Sequence, residues 1–125
     1  MDYYLNENNN YKVTFDLVDE SGDAISISVL DTLTCTMYYY NAELGTSDKW
    51  HLATINHRYN QDIKNVNGVT VSANCNCVWN MSSSDTVKLS NKEQELHVAL
   101  IKWMWSTTKQ NSFEFNFYIR EVPYA

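Results

Sequence analysis

The longest regular alternation in the chain runs from Val69 to Met81, where Val69, Val71, Ala73, Cys75, Cys77, Trp79 and Met81 hold every odd position. Thr70, Ser72, Asn74, Asn76, Val78 and Asn80 lie between them. Successive strand side chains point to opposite faces, so this pattern makes one dry face and one wet face, whereas a helix would scatter the same residues around its axis. The spacing predicts a single strand over 69–81, central to an antiparallel sheet. The same period places Val13, Phe15 and Leu17 on one face of a strand beginning at Tyr11, and Ile25, Ile27 and Val29 on one face of another over 24–30. Leu33, Cys35, Met37 and Tyr39 mark a strand over 33–40, Trp50 to Ile55 a short one, and Phe113, Phe115, Phe117 and Ile119 the last.

Glu95 to Trp105 is different, because it is apolar on both sides: Leu96, Val98, Leu100 and Met104 on one, Ala99, Ile101, Trp103 and Trp105 on the other. Its β-branched and aromatic content predicts a strand. Turn chemistry separates these segments. Asp19 to Asp23 contains Gly22, Asn67-Gly68 tolerates positive φ, Ser82 to Thr86 is hydroxyl-rich, and Ser106 to Ser112 reads as a hairpin loop. Asn41 to Lys49 and Asn56 to Asn67 are longer polar connections. Residues 1–10, with only Tyr3, Tyr4 and Leu5 to anchor them, read as an N-terminal arm. About seven strands and no convincing helix predict an all-β fold, an antiparallel β-sandwich occupying residues 11–125 as one domain.

Composition agrees with a packed globule: 44% hydrophobic and 14% aromatic residues, three glycines and one proline. A net charge of −6 removes the Lys and Arg surplus on which phosphate binding depends, so nucleic acid is not an expected partner. No apolar run approaches the roughly 18 residues of a membrane span, and the acidic Met1-Asp2 start is unlike a signal peptide. Synthesis and retention in the cytoplasm are expected. Cys35, Cys75 and Cys77 are odd in number, and two of them share a strand face, which predicts reduced, buried thiols.

Candidate chemistry is sparse. Cys75 and Cys77 alternate within an apolar row and lack the two-to-four-residue separation of structural zinc pairs. Cys35, Trp50 and Cys75 resemble an immunoglobulin set only loosely, since Ala73 stands where a Tyr belongs. His51, His57 and His97 have no neighbouring nucleophile or carboxylate in a known motif. Ser82-Ser83-Ser84-Asp85 lacks the glycine-flanked turn of a hydrolase nucleophile, and the acids at Asp19, Glu20 and Asp23 lack the closing Glu of a calcium loop. No enzyme, metal or cofactor site is predicted. The aromatic surplus is more suggestive, because Tyr38, Tyr39 and Tyr40 cannot all enter one core. Exposed aromatics mark protein interfaces or sugar-stacking platforms. Trp103, Trp105, Ile101, Tyr38 and Tyr40 are the interface candidates.

Three stretches carry a family likeness: YKVTFDLVDESGDAI at 11–25, CVWNMSSSDT at 77–86, and FEFNFYIREV at 113–122. In each, a strand runs into or closes a polar turn in the order that resembles the phage upper-baseplate-protein N-terminal domain family and related Ig-like phage virion domains, across most of residues 11–122. The resemblance implies an Ig-like sandwich with no active site that joins one virion component to another. It also implies partners that are further copies of itself and other virion proteins, and a passage from host cytoplasm into the particle. Two other classes remain open: a small acidic inhibitor gathering Asp19, Glu20, Asp23 and Asp31 into one patch, and a carbohydrate-binding module presenting Trp103, Trp105 or Tyr38 to Tyr40 in a flat row.

Overall fold

The computed structural model of the chain describes residues 2–40, 55–89 and 93–122, and only the backbone of Tyr40. Among these residues the strands are β1 (Asp2–Asn6), β2 (Tyr11–Asp16), β3 (Leu30–Tyr40), β4 (Gln61–Asp62), β5 (Val69–Val71), β6 (Asn76–Met81), β7 (Gln94–Trp105) and β8 (Lys109–Arg120). They form an all-β sandwich, with a five-stranded sheet in the order β1-β8-β7-β3-β4 facing a three-stranded sheet in the order β2-β6-β5.

The alternation read from the sequence sets the core. Leu33, Cys35 and Met37 of β3, Ala99, Ile101, Trp103 and Trp105 of β7, and Phe115, Phe117 and Ile119 of β8 are buried on the inner face of the large sheet. Val13 and Phe15 of β2, Val69 and Val71 of β5, and Cys77, Trp79 and Met81 of β6 meet them from the small sheet. Aromatic edges join the layers, with Phe15 edge-on to Phe115 at 5.6 Å and Trp79 edge-on to Phe117 at 5.7 Å.

Four expectations are corrected. The predicted strand over 69–81 is a hairpin, β5 and β6, reversing at Ser72 to Cys75. Ser72 N–H donates to Asn76 C=O and Cys75 N–H to Ser72 C=O, both at 3.0 Å, while Asn76 N–H reaches Ser72 Oγ at 3.0 Å. Cys75 takes φ +55°, and Val71 pairs with Cys77. Both residues are odd-numbered, so the alternation passes through the reversal unchanged and conceals it. The strand expected over 24–30 does not form either, and Leu30 instead opens β3. Only Ala24 bridges to Val18, and Ser26 Oγ then caps a single 3-10 turn at Ile27–Val29 by accepting from Ser28 N–H. The arm expected at 1–10 contains β1, which pairs with β8 from Asp2↔Asn116 to Asn6↔Arg120 in parallel, so the large sheet is not wholly antiparallel. The strand expected over 50–55 lies, apart from Ile55, outside the described residues, as does the polar connection at 41–49.

The fourth correction concerns the interface candidates on β7. Trp103 is 2% exposed and Trp105 5%, and both lie with Ile101 on the inner face, covered within the chain. Trp103 also donates from Nε1 to Val18 C=O at 3.1 Å. Truncating Trp103 to Ala removes a buried ring and leaves that carbonyl unpaired, so it should cost about 3–5 kcal/mol of folding stability, measured by urea unfolding.

Candidate interaction surface

Pair registers across the large sheet lay its outer face out in rows. Tyr4, Tyr118 and Leu96 form the first, which ends at the backbone of Tyr40; Asp2, Asn116, Val98 and Tyr38 the second; Glu114, Leu100 and Thr36 the third. Beyond these come Ser112, Lys102, Thr34 and Asp62, and then Gln110, Met104 and Thr32. The face is therefore aromatic and aliphatic at one end and polar at the other. Tyr4 is 60% exposed and its ring stacks on that of Tyr118, centroids 5.0 Å apart and planes 16° from parallel. Leu96 lies half-buried beside Tyr118 in the same row, and Leu100, two rows along, is also half-buried.

Of the interface candidates named from sequence, Tyr38 belongs to this face, and the backbone of Tyr40 pairs with Leu96 at its end. Tyr38 is 5% exposed, and burial, aided by Glu114, pushes its phenol pKa upward. The side chain of Tyr40 lies outside the described residues. Ile101, Trp103, Trp105 and Tyr38 being covered, they do not supply the flat exposed row that sugar stacking requires. Tyr4 and Tyr118 were missed, one lying in the expected arm and the other between the apolar positions of the last strand. The available signal was the inner row itself: once Phe113 to Ile119 face the core, Tyr118 must face away.

Two buried polar clusters were also invisible from motifs. Arg58 and Asp85 form a buried ion pair, Nε to Oδ1 at 2.7 Å and Nη2 to Oδ2 at 3.2 Å. Asp85 also accepts from Asn56 Nδ2 at 2.8 Å and Ser82 N–H at 2.9 Å, and Arg58 donates to Gln61 Oε1 at 2.7 Å and Asn67 C=O at 3.0 Å. The guanidinium lies 5.3 Å from the Trp79 ring centroid. These bonds tie the 56–67 connection to the Ser82 turn across a cleft of about 260 Å³. The Ser82-Ser83-Ser84-Asp85 stretch is thus a turn built around a buried carboxylate. In the second cluster, Glu95 Oε1 lies 2.7 Å from His97 Nε2 and accepts from Leu89 N–H at 2.6 Å, with both side chains on the inner face of β7. His51 lies outside the described residues, and His57 is exposed with φ +57°.

The three cysteines are buried free thiols. Among the described residues, no group of three or more His, Cys, Asp or Glu side chains is placed to hold a metal. No described helix is long and apolar enough to cross a membrane. No protein-family model matches the chain, and no curated protein or solved structure matches it.

Asp85→Ala leaves the Arg58 guanidinium buried without its counter-charge and should cost about 3–5 kcal/mol in urea unfolding, with an Arg58→Met, Asp85→Leu double variant recovering part of the loss. The thiols set a pH dependence. Burial pushes Cys35 and Cys77 up to about 12 from an ordinary 9.0. Their stabilising contribution is complete below pH 9.0 and is lost as pH rises toward about 12, because the unfolded chain releases protons that the fold retains. Unfolding titrations across that window should show a steeper decline in the native chain than in a Cys35→Ala, Cys77→Ala variant.

Proposed function

We propose that this chain is a non-enzymatic structural or adaptor component of a phage particle, working through protein contacts on the outer face of its five-stranded sheet. The observation that carries the reading is the stacked Tyr4–Tyr118 pair beside Leu96, in which Tyr4 is exposed and Tyr118 half-buried. Large amphipathic rings contribute most when a partner covers them, which is why Tyr is a typical interface anchor. The tryptophans and phenylalanines of β6, β7 and β8 serve the domain's own core, so these tyrosines belong to the aromatic surplus left for a partner, of which Tyr59, outside the sheet, is another exposed member. The resemblance of residues 11–122 to phage virion domains supports the particle as the setting.

A second reading, a small acidic inhibitor, is favoured by one observation. Glu20 Oε1 accepts from Lys109 Nζ at 2.7 Å and Asp31 Oδ2 from Thr107 N–H at 2.7 Å, which brings the Asp19–Asp23 turn and Asp31 to the same hairpin end. Binding through that end would weaken steeply with salt, whereas contacts through the tyrosine face would not. Purified particles should contain the chain, and Tyr4→Ala with Tyr118→Ala should weaken its incorporation by about 2 kcal/mol or more while leaving thermal unfolding unchanged. Absence of the chain from particles would overturn the reading.

A further inference from the structure

Among the described residues the two sheets leave four strand edges, β1 and β4 on the large sheet and β2 and β5 on the small one. An edge strand offers unpaired N–H and C=O groups to any other strand, and folded proteins blunt such edges by shortness, charge or local capping. Three of the four edges are blunted here. β4 has two residues, one of them Asp62. On β5 the outward N–H of Val71 donates to Asn65 Oδ1 at 2.7 Å and that of Val69 to Val66 C=O at 3.2 Å. β2 carries Lys12 and Asp16 on its exposed face. β1, with the sequence DYYLN, carries a charge only at its first residue, Asp2, and a cap only at its last, where Tyr11 Oη holds the Asn6 N–H; its centre at Tyr4 has neither, it contains no Lys, Arg or Pro, and no bulge interrupts its pairing with β8.

Two hydrogen bonds fix which backbone groups of β1 face outward. Glu7 N–H donates to Arg120 C=O at 2.9 Å, toward β8, and Asn6 N–H points the other way and donates to Tyr11 Oη at 2.7 Å. Backbone groups alternate along a strand, so Tyr3 and Leu5 bond to β8 while the N–H and C=O of Asp2 and Tyr4 face the open edge.

We propose that this edge pairs with β1 of a second copy of the chain, antiparallel about a two-fold axis through Tyr4, so that two five-stranded sheets become one. The register is self-complementary. Tyr4 meets its own copy as a hydrogen-bonded pair that exchanges both N–H···O=C bonds. Asp2 falls opposite Asn6, so no carboxylate meets a carboxylate, and on the inner face Tyr3 falls opposite Leu5. On the outer face, the Tyr4–Tyr118 stacks of the two copies join into one aromatic ladder. Of the three outward residues that could form a hydrogen-bonded pair on the axis, two are excluded. Asp2 would oppose its own charge, and the Asn6 amide is already held by Tyr11. The isologous geometry closes at two copies and leaves the blunted edges outside.

The inference deepens the assembly reading by naming its first partner, and it is tested on the isolated chain, so its failure is distinct from absence from particles. Sedimentation over a dilution series should show a mass moving from 14.5 kDa to twice that value. Tyr4→Lys keeps the amide but sets two ammonium groups across the axis, and Tyr4→Pro removes an N–H that has no partner among the described residues. Each should weaken the dimer by about tenfold or more, with thermal unfolding of the diluted monomer unchanged for Tyr4→Lys. Tyr11→Phe frees the Asn6 amide and should tighten the dimer. A mass of 14.5 kDa at every concentration, or a dimer that tolerates Tyr4→Lys, overturns the inference.

Discussion

The paired register of β7 and β8 is the constraint on which the rest of the molecule depends. It runs without interruption from Gln94↔Arg120 to Trp105↔Lys109, and every inner-face residue of both strands is placed by it. Because strand parity is two, a slip of one residue would send Phe115, Phe117 and Ile119 into water and bring Glu114, Asn116 and Tyr118 into the core. The turn that fixes this register is short. Ser106 and Thr107 adopt φ +49° and +64°, Asp31 holds the Thr107 N–H, and Ser106 N–H donates to Val29 C=O at 3.0 Å. The last two bonds come from the segment that opens β3, so the turn also sets where β3 joins β7.

The buried polar groups act on this frame in a different way. Apolar packing tolerates several arrangements of similar energy, but Arg58 and Asp85 satisfy each other in one. Their bonds hold Asn56, Gln61 and Asn67 against the Ser82 turn, and Met37 N–H in β3 reaches Arg58 C=O at 2.9 Å. A connection with few apolar pins is thereby attached to both sheets. Glu95 performs a smaller version of the same task, attaching Leu89 to the inner face of β7 through its bond to the backbone amide.

The sandwich was legible because its strands obey one rule, and the misreadings occurred where that rule carries no information. Parity is blind to a reversal that preserves it, which is why Ser72 to Cys75 passed for mid-strand; no Gly or Pro marks the turn, and Asn74 and Ser72 were its only cues. β1 was too short to show alternation, and its partner lies at the far end of the sequence in a parallel pairing that no local turn announces. On β7 both rows are apolar, and the inner row includes Glu95 and His97, so polarity could not say that Trp103 and Trp105 face the core. The Arg58–Asp85 pair joins residues distant in sequence, and neither residue sits in a pattern that distinguishes it from surface charge. The Tyr4–Tyr118 surface follows from all three facts together: β1 must be a strand, it must adjoin β8, and the even row of β8 must face outward.

The parallel contact between β1 and β8 has a mechanical consequence. Tension applied between Asp2 and Arg120 would draw the two strands along their axes in opposite directions, since Asp2 lies beside Asn116 and Asn6 beside Arg120. The load then falls on all the ladder bonds at once, as shear, where an antiparallel terminal pair pulled at its open end would unzip one bond at a time. Under such tension the β1–β8 seam behaves as a clamp, yielding only when every bond along it fails together.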